Sequence, residues 1–494
     1  MDASVSFGVN NFSSVDLGDA RRTARLVKVA DDMCRHTGGT LPDKFPVPAD
    51  LMAFYRLMGC KRVTHEAVIR AHADTTRRLV ATSSASATSS ASSASATSAA
   101  SASAVVLTLH DATELDYTSR KKLEHQLGQI GQGTHRGYIC HNSLAVRLLP
   151  SESGEIIPET LGLLSQILHQ RPRVSKDETA KQTRERKSRE SRLWVRGVQA
   201  CGPAPAGILN VDISDSLSDT FEYMAHEVTQ GRHFVLRARE NRKLSEPLSK
   251  ALAEPSAGAN YLFDALAGLK GVAGPQIKVQ ATAGRPAREA QTQIAFAEVV
   301  VAPPREKSGE YDHVPLRLWA VRIWEPTSPE GTEPLEWVLL TNCQVASEAD
   351  ARERIEWYQH RWIIEEYHKG MKTGCGIETL QFESTTRLEP AIALISAVAT
   401  TLLRLRDAAR APDADRRLAS EVVDDVYVQA LATVYPRRLR GEVSILKFYM
   451  HVARLGGHQN RKRDGYPGWL TLWRGWTKLE SIVTGYSARH RTCV

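Results

Sequence analysis

Residues 81–104 contain only Ala, Ser and Thr. A tract of this composition has no side chain large enough to build a core and no charge to pair. It predicts a flexible tether, although its alanines also permit transient helix. The expected organisation is a helical domain over 1–78, a linker over 79–104, a main body over 105–408 and a helical tail over 409–494. With 494 residues, 42% of them apolar, the chain is long enough for two or three ordinary cores.

In the first part, Asp19 is placed to cap a helix on which Arg21, Arg25 and Lys28 share one face while Leu26 and Val29 turn inward. A basic face of this kind can follow DNA phosphates, and its arginines can reach base edges; the pattern equally fits an ordinary amphipathic surface helix. The net charge of +8 favours an anionic partner, most plainly nucleic acid. Seven scattered cysteines, at 34, 60, 140, 201, 343, 375 and 493, form no C-x-x-C pair. That argues against a disulfide framework or a zinc site and fits a reducing cytosol. Met1 to Asn11 has neither a basic start nor an apolar run, so no leader is expected. The longest apolar stretch, Ala391–Leu403, is too short and too rich in Ala, Ser and Thr to span a bilayer. It reads as a buried helix, and a soluble protein is expected.

Val105–Leu109 is a short apolar strand ending at His110 and Asp111. Ile139–Leu149 reads as a second strand of the same sheet, and Ile208–Ile213 as a third, leading to Asp215. Residues 176–192, dense in both charge signs, predict a solvated loop or helix start. A helix should begin at about Asp219, with Phe221, Met224 and Val228 on its buried side. From about 232 to 341 the pattern turns to strands: HFVLRAR, QIKVQA, TQIAFAEVVV, PLRLWAVRIW and EWVLLTN, a β-rich insertion in an otherwise α/β domain. In the tail, Trp469, Trp473 and Trp476 stand at helical spacing with Leu472 and Leu479; such a stripe is more often core than interface.

Between the insertion and the buried helix, Tyr358–Lys372 reads YQHRWIIEEYHKGMK. At about 100° per residue, Tyr358, Arg361, Glu365 and Lys372 fall within a roughly 60° arc of one helix face, with Lys369 close beside them. One acid ringed by a phenol, a guanidinium and two ammonium groups suits a metal ligand set in a phosphate grip. A salt-bridged surface helix has the same spacings. Asp111, Asp215 and Glu365 stand on separate elements, as two divalent ions about 3.5–4 Å apart would require of their oxygen ligands. Taken singly, an Asp after a strand is often a turn or cap residue.

The spacing Y-x2-R-x3-E-x6-K, within YQHRWIIEEYHKGMKTGCGIE, resembles the signature of the insertion-sequence-four family of bacterial cut-and-paste transposases. LGDARRTARLVKVA (Leu17–Ala30), and ARLGG with the downstream GWLTLWRGW (Ala453–Trp476), have that family's wording too, so the resemblance runs almost end to end. It implies a multidomain α/β protein: an RNase H-like catalytic core with a β-strand insertion at about 232–341, a helical N-terminal domain that recognises transposon ends through Arg21, Arg25 and Lys28, and C-terminal helices that dimerise. HDATELDYT and DSLSDTFEYM resemble the segments bearing the family's first two catalytic acids, matching Asp111 and Asp215, with Glu365 the third. The second match is looser, because Ser216 stands where the family has Arg; Asp212 is the rival assignment, although its place inside the apolar strand counts against it. The Ala/Ser/Thr tract departs from the family as well, where an ordinary helical segment would stand.

The resemblance further implies two Mg²⁺ ions, with Mn²⁺ as a substitute, held by Asp111, Asp215 and Glu365. Tyr358, Arg361, Lys369 and Lys372 would grip phosphate, Trp362 and Trp337 would hold a flipped base, and Arg237 would lie near the DNA strand. The implied partners are double-stranded DNA, both transposon ends and target, and a second copy of the chain in a synaptic complex. The implied setting is the bacterial cytoplasm. An inactive DNA-binding descendant and a structure-specific RNase H-like nuclease are the alternatives.

Overall fold

The computed structural model describes the chain apart from residues 1–5, 91–103, 152–154, 172–178, 180–181, 183–187, 247, 249–259, 280–286, 306–310, 462–463, 465 and 492–494. It divides into two compact units that cut across the linear order. One gathers Met1–Val105, Ala112–Gln170 and Ile364–Val494; the other gathers Val106–Asp111 and Arg171–Ile363.

The first unit opens with helices α1 (Phe7–Phe12), α2 (Ala20–Arg35), α3 (Leu41–Lys44), α4 (Pro48–Met58) and α5 (His65–Ser90). Asp19 caps α2, its carboxylate accepting from the Arg21 amide at 2.9 Å, and Leu26, Val29, Ala30 and Met33 form the buried stripe. The Ala/Ser/Thr tract begins as a continuation of α5, which runs to Ser90; residues 91–103 of the expected tether lie outside the described residues. Alanine, the best helix former, favours continuation of the helix into this stretch.

Strand β1 (Ala104–Asp116) is longer than expected, so Asp111 lies within it and does not end it. The strand continues because Leu115 and Tyr117, beyond the polar stretch, are again fully buried. Only the ends of β1 belong to the first unit; its residues 106–111 belong to the second. A short β2 (Gly128–Gln129) pairs with the start of β3 (Arg136–Pro150), and β3 pairs antiparallel with β4 (Ile156–His169) along its length. The Leu-rich β4 has no counterpart among the strands read from sequence.

The apolar stretch 391–403 lies in the long helix Thr385–Arg410, whose apolar residues are nearly all buried within the fold. By length and composition this is the one described helix that could cross a membrane. The tail carries helices Asp425–Val434, Ile445–Leu455 and Trp469–Arg491. Trp469 and Trp473 stack in parallel at 5.7 Å, Trp476 stacks on Tyr427 at 5.1 Å, and all three tryptophans are buried. They are core of this unit.

The second unit is built on a mixed sheet in the order β1, β5 (Ile208–Ser214), β6 (His233–Arg237), β12 (Glu336–Thr341), β11 (Leu316–Trp324), β10 (Gln293–Val301), β7 (Val272–Ala273), with β8 (Ile277–Val279) and β9 (Arg288–Ala290) forming a separate pair. β5 and β6 run parallel, whereas β6, β12, β11 and β10 are antiparallel neighbours. Parallel neighbours need a crossover, and α6 (Leu193–Cys201) and α7 (Phe221–Thr229) flank β5. The hydroxyl of Thr220 caps α7, accepting from the Tyr223 amide at 3.2 Å. Phe221 and Met224 are buried as expected; Val228, in the final turn of the helix, is exposed. Most of the charged segment 176–192 lies outside the described residues; Glu190–Arg192 forms a short 3₁₀ turn. After the small helix α8 (Leu262–Ala267) and the strands, α9 (Glu348–Gln359) opens with a Ser347–Asp350 capping box.

Candidate active site

In the second unit, β1 and β5 are joined by two side-chain pairs. Thr108 Oγ1 donates to Asn210 Oδ1 at 3.1 Å, and His110 Nε2 lies 2.9 Å from Asp212 Oδ1. The partners advance together along both strands, so β1 and β5 run parallel, with 111 opposite 213. Side chains alternate across a strand. Thr108, His110, Asn210 and Asp212 therefore share one face of the sheet, and Asp111 projects from the other. Asp215 follows the last residue of β5 in extended backbone, so the alternation carries it to the same face as Asp111. Polar residues at every second position of two apolar strands are the sequence signal for His110 and Asn210, to which the motifs give no role.

The two faces treat their acids differently. Asp212 is wholly buried and bonded: besides His110, the Arg232 guanidinium grips both its oxygens at 2.7–3.0 Å. It has no outlet to a ligand. Asp215 caps the 3₁₀ turn Ser216–Ser218 through the Leu217 amide at 3.1 Å. Burial pushes its pKa up, and the nearby Arg361 charge pulls it back. Asp111 lies 3.4 Å from an Arg361 nitrogen. Asp219, the neighbouring acid of the DSLSD segment, instead anchors the loop after β6: it accepts from the amides of Arg239 and Glu240 at 2.7 and 2.9 Å and pairs with Arg242.

Arg361 stands beside Tyr358. Burial raises the Tyr358 hydroxyl pKa, while Arg361 and Arg237 oppose the rise and Asp215 adds to it. The Tyr358 ring meets the edge of Trp337 at 5.5 Å and 67°, and Arg237 donates to the Glu336 carbonyl at 3.3 Å. Trp337 is half-buried and Trp362 is 37% exposed, so Trp362 presents the more accessible indole. Asp111, Asp215, Tyr358, Arg361, Arg237 and Trp337 thus form one cluster within this unit.

The expectation of a single uninterrupted helix through the signature is corrected. α9 ends at Gln359, residues 360–361 form a turn, α10 covers Trp362–Lys369, and Gly370–Gly374 is a π-turn. The roughly 60° arc of a regular helix therefore does not hold; a break and a five-residue repeat each shift the phase. Close packing accounts for the glycines of this turn: a Cβ on Gly374 would lie 3.1 Å from the Trp469 ring and one on Gly370 3.3 Å from it.

Glu365, Lys369 and Lys372 belong to the first unit. Two residues just after Glu365 are anchored there: Glu366 pairs with Arg406, and His368 Nε2 meets the Asn142 side-chain nitrogen at 3.1 Å. Glu365 is half-buried, Lys369 is exposed, and Lys372 lies 3.5 Å from Glu378. Among the described residues, no three His, Cys, Asp or Glu side chains are grouped to hold a metal ion. The pair Asp111 and Asp215 does fit a hard dication in kind. Both offer carboxylate oxygens, and a cation beside Asp215 offsets the burial that disfavours its charge.

On α2 of the first unit, Arg21 is 92% exposed and bonds Asp19 at 3.1 Å. Arg25 and Lys28 both reach Asp50, at 3.4 and 2.9 Å, and Lys28 also meets Asp32 at 2.8 Å. The expected basic face exists, but acids interleave it. Residues 6–63 match the family of transposase DNA-binding domains. The match covers α1 to α4 and supports a transposase that binds DNA.

Proposed function

We propose that the chain is a DDE transposase of the insertion-sequence-four type, binding transposon ends and carrying out metal-dependent cleavage, hairpin formation and strand transfer. The observation that supports this most is the placement of Asp111 and Asp215 on one face of adjacent parallel strands, beside Tyr358 and Arg361 of the signature. On this reading β1, β5 and β6 belong to an RNase H-like core, the later strands are its insertion, and Glu365 supplies the third carboxylate. Two Mg²⁺ ions, or Mn²⁺, would supply activation of water or a 3′-hydroxyl and stabilisation of the leaving oxygen.

The chain's own residues do the rest. Asp111, Asp215 and Glu365 offer the carboxylate oxygens. Arg361 exchanges Asp111 for a phosphate oxygen of the strand that is not joined, and Tyr358, Lys369 and Lys372 hold the same strand. Arg237 steadies it further along. Trp362 and Trp337 stack on a base turned out of the helix, leaving the end free to fold back. Water would cut the first strand; the freed 3′-hydroxyl would attack the phosphodiester of the opposite strand, closing a hairpin and releasing the flanking DNA with its own 3′-hydroxyl; a second water would reopen the hairpin; the regenerated 3′-hydroxyl would then attack a target phosphodiester, expelling the target strand's 3′-hydroxyl. Two ends must be held together, which asks for a homodimer, and the substrate places the work on bacterial DNA in the cytoplasm.

The test is purified protein with Mg²⁺ and labelled DNA carrying the ends of its own element. Nicked and then hairpin products are expected, and Asp111→Ala, Asp215→Ala or Glu365→Ala should abolish both while end binding persists. Binding without cleavage by the wild type would favour an inactive descendant. Equal cutting of unrelated branched DNA would favour a structure-specific nuclease.

A further inference from the structure

We propose that His110 and Asp212 are positioning residues for the two metal-binding acids, locking the register of β1 against β5 from the opposite face of the sheet and so setting the separation of Asp111 and Asp215. The inference rests on the metal-dependent reading above. His110 and Asp212 are both fully buried, 2.9 Å apart, and the Thr108–Asn210 pair two residues earlier repeats the same register. Arg232 fixes Asp212 in turn, bonding both its oxygens and donating to the Gly202 carbonyl at 2.8 Å.

Magnitudes show why a polar lock matters here. A slip of one residue turns Asp111 to the wrong face. A slip of two keeps the face but moves Asp111 about 6.6 Å along the strand, farther than the roughly 3.5–4 Å between paired metal ions. Apolar contacts are non-directional and by themselves do not single out one register. A buried carboxylate held by an imidazole and a guanidinium does not, because each slipped register leaves a charge or donor without its partner. Apolar side chains could fill the same space without the desolvation cost of these charges, and the polar set adds directionality that they lack.

The experiment is calorimetric titration of Mn²⁺ into full-length, DNA-free protein, with thermal melts and end-DNA binding measured alongside. Asp111→Ala and Asp215→Ala should abolish binding at the acid pair. His110→Ala should weaken it roughly tenfold or more, the usual loss when a group that orients a metal ligand is removed. End-DNA binding should be unchanged. His110→Gln, whose side-chain amide can still donate to Asp212, should recover most of the affinity. His110→Asn, too short to reach, should remain impaired, and it keeps the test open if His110→Ala does not fold. Folded His110→Asn or His110→Ala with wild-type Mn²⁺ affinity would overturn the proposal, as would His110→Gln no better than His110→Asn. Failure of the underlying reading looks different: Asp111→Ala and Asp215→Ala would then bind Mn²⁺ like the wild type, and the positioning role would fall with it.

Discussion

The guanidinium of Arg361 lies 3.4 Å from the Asp111 carboxylate, with Asp215 close enough to feel its charge. A cation supplied by the signature already stands beside the two acids that would hold metal. Both members of the pair are largely shielded from water, with side chains 22% and 14% exposed, so their attraction is not fully screened. A metal ion binding at Asp111 has to compete with this contact.

Arg361→Gln should therefore raise the Mn²⁺ affinity of DNA-free protein. Losing one hydrogen bond to a charged group, worth about 1.5 kcal/mol, predicts roughly a tenfold gain. Arg237→Gln removes a nearby charge that bonds a backbone carbonyl, and should change the affinity far less. Calorimetry on the two variants separates the cases. Equal gains would mean that net charge matters and the Asp111 contact does not.

Trp337 and Trp362 should separate on mutation. Trp337 packs on Tyr358, and such aromatic pairs are worth about 0.5–1.5 kcal/mol beyond their buried area, so Trp337→Ala should lower stability measurably. Trp362, more than a third exposed, should cost about 1 kcal/mol or less. If both hold a flipped base, each variant should slow hairpin formation roughly ten- to a hundredfold while sparing the first nick. A time course on labelled end DNA reads both steps, and equal loss of nicking and hairpinning would mark a packing role.

Asp50, on α4, pairs with Arg25 and Lys28 of α2, the residues proposed to meet DNA. Asp50→Asn should release Arg25, leave Lys28 paired with Asp32 alone, and tighten binding to DNA a few-fold, since exposed pairs are worth about 0.2–1 kcal/mol each. Arg21→Ala should reduce the magnitude of the salt slope by about one, the effect of a lost phosphate contact. Unchanged slope and affinity in Arg21→Ala would place the contact surface elsewhere.

His72 gives the fold an acid limit. It is fully buried, Nδ1 facing Asn11 Oδ1 at 2.8 Å and Nε2 accepting from the Leu163 amide at 3.1 Å, so its neutral form is the bonded one. Burial pushes its pKa down to about 3. The unfolded chain, with an ordinary histidine pKa near 6.5, then takes up a proton that the folded chain refuses. Stability is complete above about pH 6.5 and falls as the pH drops towards 3, by up to about 1.4 kcal/mol per unit from this group. Denaturant melts between pH 7.5 and about 5 should show the loss, and His72→Gln should flatten it even if less stable overall; an unaltered slope would refute the assignment.

Local chemistry made several elements legible. Asp19 before an amphipathic run specified α2, and apolar alternation between Gly, Pro and polar turns specified β6, β10, β11 and β12. The apolar stretch at 391–403 announced a buried helix because length and composition leave few other places for it. The candidate acids and the basic and aromatic residues around them were named by spacing and resemblance.

Tertiary structure decided what those residues do. Asp212 and Asp215 are three positions apart and identical in type, yet one is bound by His110 and Arg232 on one face while the other is displayed on the opposite face. Strand pairing made that choice, through a two-residue alternation that takes effect only once β1 lies beside β5. The signature reads as one helix, yet the fold interrupts it at 360–361 and ends it in a π-turn whose Gly370 and Gly374 pack against Trp469, about a hundred residues later in the chain. Residue identity and spacing are local, and the sequence carries them outright. Which face a side chain takes and where a helix breaks depend on neighbours distant in the chain, and only packing brings those together.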